Sequence, residues 1–232
     1  MKSSRILLLL IILFPVFCKL TVAQESLPVK LGIKAAPNIG FMIPDTRGYS
    51  YDGVRGGAVL GLVSDFYFLE RYAFSTGFNF SFLNGRITFP EEVIRQGDTL
   101  TGNMIRTLSF IYLEIPYMIK LQTKEFGRFS FFGQIGFTTG FRIKAKALDR
   151  FEQENAEAFD EKYDYTDETT LIREAVQIWI GTELHLDQST RLFFGLSYSN
   201  SLNNVLTGVN QKEHINEKGY LNYAELNLGI LF

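Results

Sequence analysis

The chain has 232 residues, of which 46% are hydrophobic, 15% aromatic and 21% charged, with 22 Phe and 11 Tyr against one Trp. That length suits one large β domain, and with 6 Pro and 20 Gly neither a low-complexity nor a disordered chain fits. A formal net charge of −2 supplies no basic footprint for nucleic acid, which is excluded as a partner.

Residues 1–23 read as a secretory signal peptide. Lys2 and Arg5 give a basic start, Ile6 to Phe17 is an apolar run, and Thr21-Val22-Ala23 suits a signal peptidase. The run is shorter than the roughly 20 residues a membrane-spanning helix needs. Cys18 follows the bulky Phe17 rather than the small residue a lipoprotein peptidase wants, so it is expected to leave with the signal. The mature chain then starts at Gln24, holds no cysteine, and carries 20 basic against 25 acidic residues, a net of −5. No later apolar run approaches the length of a spanning helix, which leaves a transmembrane barrel as the membrane-crossing option.

Eight stretches then alternate with a period of two, the signature of extended strands with two unlike faces. From Val29 the odd positions Val29, Leu31, Ile33, Ile39 and Phe41 are apolar, and the even ones include Lys30, Lys34 and Asn38. Residues 56–68 set Leu60, Leu62, Phe66 and Phe68 against Gly57, Gly61, Asp65 and Tyr67. The stretch RYAFSTGFNFSF, residues 71–82, places Tyr72, Phe74, Phe78, Phe80 and Phe82 opposite Ala73, Ser75, Gly77, Asn79 and Ser81. Residues 107–121 oppose Leu113, Ile115, Tyr117, Ile119 and Leu121 to Glu114, Pro116, Met118 and Lys120. Residues 128–143 do the same with Phe129, Phe131, Ile135, Phe137, Phe141 and Ile143 against Ser130, Gln134, Thr138 and Arg142. Residues 172–186 set Val176, Ile178, Ile180, Leu184 and Leu186 against Gln177, Trp179, Glu183 and His185. The last two, 190–202 and 220–232, carry Leu192, Phe194, Leu196 and Tyr198, then Ala224, Leu226, Leu228, Ile230 and Phe232.

These strands are long enough to cross a bilayer at a tilt, and their connections alternate: 43–55 long, 69–70 short, 83–106 long, 122–127 short, 144–171 long, 187–189 short, 203–219 long. The expected fold is therefore all-β, an eight-stranded antiparallel up-and-down transmembrane barrel over residues 24–232, with long extracellular loops and short periplasmic turns. Across all eight apolar faces the one ionised residue is Glu174. A charge facing lipid near the midplane costs about 2–4 kcal/mol, which explains so clean a face if it meets outer-membrane lipid. A final alternating strand ending on Phe232 resembles the signal read by the barrel assembly machinery, an expected partner.

The stretch YLEIPYMIKL, residues 112–121, resembles the PorT-like outer-membrane barrels of the Bacteroidota and, more distantly, small OmpX-like barrels. KLGIKAAPNIG, ERYAFSTGFNF, FSFFGQIGF and YSNSLNNV support the likeness. The resemblance implies a multi-pass protein of the cell outer membrane, non-enzymatic, with a structural or accessory role in secretion or surface assembly and a protein partner there. It brings no catalytic residues. The alternative is a small porin-like channel for water, ions or small solutes.

The inward polar residues are expected to be Lys30, Lys34, Asp65, Arg71, Glu114, Lys120, Arg142, Gln177, Glu183, His185 and Arg191, forming a paired network that fills the lumen, because an eight-stranded barrel is just wide enough for side chains. Pro116 removes a ladder donor beside Glu114 and predicts a local bulge or a weakened pairing there. His185 sits inward beside the short turn at 187 and His214 lies in a loop without an obvious partner, so neither points to catalysis. Between Asp149 and Glu168 lie nine acidic residues; without calcium-loop spacing they predict a solvated loop, with FEQENAEAFDEKY as a short helix. No metal, cofactor or catalytic residue is assigned.

Overall fold

A computed structural model describes residues 29–95, 98–152, 159–187, 189–210 and 215–232. The signal-peptide reading of residues 1–23, Cys18 and His214 lie outside these. The described strands are β1 (Val29–Pro44), β2 (Ser50–Tyr51), β3 (Arg55–Leu69), β4 (Tyr72–Arg95), β5 (Asp98–Gln122), β6 (Phe129–Glu152), β7 (Phe159–Asp164), β8 (Ile172–His185), β9 (Arg191–Ser201) and β10 (Gly219–Leu231). Eight of them close a barrel in which each strand pairs antiparallel with its neighbours along the chain, and β1 meets both β3 and β10. The short β2 and β7 add to the upper parts of β4 and β6.

The eight expected strands are present and their inward and outward faces agree with the alternation. Three run much further than expected. β4 has 24 residues, β5 25 and β6 24, so most of the expected loops 83–106 and 144–171 are strand. Of FEQENAEAFDEKY, expected as a short helix, residues 153–158 lie outside the described residues; at its two ends Phe151 and Glu152 finish β6, and Phe159–Asp164 is β7, paired with β6. At 159–163 helix propensity is overruled by the β6 edge, which offers a ladder of hydrogen bonds.

The extension has a physical signature. On lower β4, Phe74, Phe78, Phe80 and Phe82 are exposed while Ser75, Asn79 and Ser81 are buried inside. From Leu83 upward the polarity inverts: Leu83, Ile87 and Phe89 are buried inside, and Asn84, Arg86 and Thr88 occupy the outer face. β5 repeats the switch, from inward Glu114 and Lys120 to inward Leu108 and Phe110. On β6 the change coincides with a bulge. Tyr112 pairs with Arg142 but Ile111 with Lys144, leaving Ile143 as the extra residue. Strict alternation from Gln134 would send Lys144 and Lys146 inward; past the bulge they are exposed and Ala145 and Ala147 are buried.

The upper storey accordingly has an apolar core, built from Met42, Leu83, Ile87, Phe89, Leu108, Phe110 and Tyr112 with Leu221, and completed by Val205 and Leu206 from the segment between β9 and β10. Fully burying a side chain of this kind contributes about 1.5–3 kcal/mol. The three short connections all lie at the opposite end, after β3, β5 and β8. Gly127 in the second adopts φ +64°, a conformation that a Cβ would strain.

Candidate functional site

The lumen is the candidate site, and it is layered. At the short-turn end Lys120 Nζ lies 2.5 Å from both Asp65 and Glu183, Arg191 reaches Glu183 at 2.9 Å, and Gln122 and Ser75 complete the bonding of the carboxylates. Above it Trp179 packs edge-on to Phe132 and Phe193, with ring centroids 5.4 and 5.7 Å apart, in an apolar collar with Val63 and Leu231. Lys34 Nζ sits 5.4 Å from the Trp179 ring and binds Glu225 at 3.3 Å and Asn227 at 3.1 Å. Next, Arg173 and Glu114 pair at 3.0 Å with both side chains fully buried. Ser81 and the Tyr223 hydroxyl also donate to Glu114, at 2.5 and 2.9 Å, and Arg173 donates to the Leu221 carbonyl.

The expected interior network is therefore present, and among the described residues each buried charge has a stated partner except Lys30, whose Nζ has no hydrogen-bond acceptor and stands 5.7 Å from the Tyr67 ring. Two expected members are placed elsewhere. Arg71 is exposed in the β3–β4 turn, because the strand ends before its alternation reaches that position. Arg142 is half-buried and donates to the Thr166 and Thr169 carbonyls at the long-loop end. Pro116 does weaken its ladder: the β4–β5 register skips Gly77 and Phe78 opposite Pro116 and Ile115, and the Thr76 hydroxyl donates to the Pro116 carbonyl at 2.7 Å.

Sequence reasoning missed Arg173, Glu225 and Tyr223, although each sits at an inward position by simple alternation with Glu174, Ala224 and Leu226. It also missed the polar cap over the apolar core. There Arg106 pairs with Asp149 at 2.8 Å and Glu217 at 3.0 Å, its guanidinium 4.9 Å from both the Phe89 and Tyr165 rings. Tyr49 and Tyr165 donate to Glu217, and Tyr163 to Asp149. Burial, reinforced by the negative charge of Glu217, holds the Tyr165 hydroxyl well above the usual tyrosine range. Glu217 comes from an irregular segment, so no periodicity announced it.

His185 has partners that the sequence did not suggest: its Nε2 lies 2.9 Å from Ser130 Oγ and its Nδ1 2.8 Å from Glu125 Oε1. These groups, with Gln122, Arg71, Lys124 and Arg191, line a cavity of about 370 Å³ at the short-turn mouth.

Among solved structures, Neisserial surface protein A is similar over 88% of this chain and 95% of its own, at 9% identity and a TM-score of 0.48. Ail, the attachment invasion locus protein of Yersinia pestis, is similar over 89% and 100%, at 12% identity and a TM-score of 0.40. OprG from Pseudomonas aeruginosa is similar over 88% and 95%, at 10% identity and a TM-score of 0.36. No curated protein matches the chain. Residues 22–207, most of the closed sheet, match the outer membrane protein beta-barrel domain model, and the chain belongs to that family of outer-membrane barrels.

Proposed function

We propose that this barrel spans the outer membrane with its long-loop end outside the cell and its short turns in the periplasm, and that its main task is structural or accessory, in secretion or surface assembly of the PorT-like kind. The polarity inversion carries the reading. The lower storey keeps rings outside and polar groups inside, as lipid requires; the upper storey reverses both, as water requires. One level of change shared by β4, β5 and β6 fits a membrane–water boundary. The YLEIPYMIKL likeness and the signal-like residues 1–23 support export and the family role, and in this reading the assembly machinery takes β10, the strand before Phe232.

The test uses single cysteines in the mature chain, which has none of its own on this reading. Lys146→Cys is expected to react with a membrane-impermeant maleimide on intact cells, and Asp187→Cys only after the outer membrane is opened. The reverse pattern, or a protein recovered with the soluble periplasmic fraction, defeats the proposal.

A porin-like path is opposed by the apolar core and the collar around Trp179, which fill the described lumen. Purified protein in planar bilayers is expected to pass no steady current, in the wild type and in Glu114→Ala alike. Stepwise conductance in the wild type would restore the channel reading.

A further inference from the structure

We propose that Ser130 is the nucleophile of a Ser–His–Glu hydrolytic site at the short-turn mouth, taking small acyl esters that carry an anionic group. This goes beyond the accessory role, and neither the family nor the PorT-like resemblance assigns it. The three side chains come from separate places: Ser130 is the second residue of β6, His185 the last of β8, and Glu125 lies in the turn between β5 and β6.

One histidine tautomer satisfies both contacts. An Nδ1–H donated to Glu125 leaves Nε2 as the acceptor for the Ser130 hydroxyl proton. That is the relation a serine nucleophile needs, with a base in reach and a third group holding the ring. Gln122 Nε2 donates to Ser130 Oγ at 2.7 Å, so the serine's own proton is left for His185. The adjoining cavity, about 370 Å³, falls in the range of small-molecule sites. Arg71 and Lys124, beside an Arg191 held by Glu183, face Glu70 and the histidine-bound Glu125 on its wall, and their charges favour an anionic substrate. Ser130 is only 1% exposed and its Oγ is covered by Gln122 and His185, which shuts out bulky lipid esters and requires these side chains to part for a small acyl group.

In the reaction Ser130 Oγ bonds to the acyl carbon while its proton passes to His185 Nε2. The ester C–O bond breaks, and the alcohol leaves with that proton. Water then attacks the acyl–serine, gives a proton to His185, and the acid departs as Ser130 regains its hydrogen. Glu125 is a positioning residue.

The test uses the full folded chain in detergent, a small fluorophosphonate and aryl esters of succinate and acetate. The expected result is an adduct on the Ser130 peptide by mass spectrometry, with the succinate ester preferred. Hydrolysis is lost in Ser130→Ala and falls about 100-fold or more in His185→Gln, while Glu125→Gln lowers kcat with KM unchanged. Variants are compared only when their heat-modifiable gel mobility shows a folded barrel. Folded wild type that forms no Ser130 adduct after exhaustive treatment overturns the proposal without reliance on any variant, as does undiminished hydrolysis in folded Ser130→Ala.

Discussion

Arg173 shows how much one inward side chain can carry. It and Glu114 are fully buried and bind each other at 3.0 Å, and a buried pair is most costly when one partner is removed. Arg173→Met is expected to lower unfolding free energy by about 3–5 kcal/mol, measured by urea unfolding from lipid vesicles, and Arg173→Met with Glu114→Leu to recover at least half of that loss. If the single variant is as stable as the wild type, the pair contributes nothing. At the short-turn end Asp187 accepts bonds from the Thr190 and Ser189 backbone N–H groups, which hold its carboxyl down to about 2. A carboxyl lowered in the fold stabilises it above its ordinary value and ceases to do so as the pH falls through the folded one. The heat resistance of the wild type should therefore exceed that of Asp187→Ala at pH 5, and the gap should close as the pH drops from about 4 to 2. A gap unchanged at pH 2 would contradict this. Alternation alone made Glu114, Lys120 and Glu183 legible as interior residues. Glu217 and the Ser130–His185–Glu125 contact were not, because neither irregular backbone nor meetings between distant strands leave a local pattern.

At the scale of the element, β6 is the informative strand. Its alternation changes phase between Arg142 and Lys144, and the bulge at Ile143 absorbs the extra residue so that Ala145 and Ala147 reach the core. Deleting Ile143 should join two segments already in phase and leave a folded, heat-modifiable barrel. Deleting Ile178 from β8, whose pairing with β6 and β9 has no register shift, should reverse the faces of every residue on one side of the cut and abolish folding. Equal behaviour of the two deletions would show that the bulge does not set the phase. The sequence already contained this phase change, but a rule that equated strand with apolar-outward read it as the start of a loop.

At the scale of the molecule, the proposed placement of one closed sheet, in lipid below and water above, has direct consequences for stability. Phe137, 57% exposed on the lower outer face, should tolerate a charge poorly: Phe137→Arg is expected to cost about 2–4 kcal/mol in vesicles. Lys146→Ala, on the upper outer face, should change stability by no more than about 0.5 kcal/mol. Similar costs at both sites would remove the boundary between storeys.

Sequence by itself determined the eight strands that close the barrel, the two faces of the lower storey, the up-and-down order and most of the interior charges, because a period of two is a local consequence of an extended backbone. Only the tertiary structure decided that β4, β5 and β6 rise beyond the lower barrel, that Val205 and Leu206 close the upper core, and that His185 stands between Ser130 and Glu125. Each of those depends on residues far apart in the chain, brought together by ring closure and by the register that the bulge and the β1–β10 seam impose.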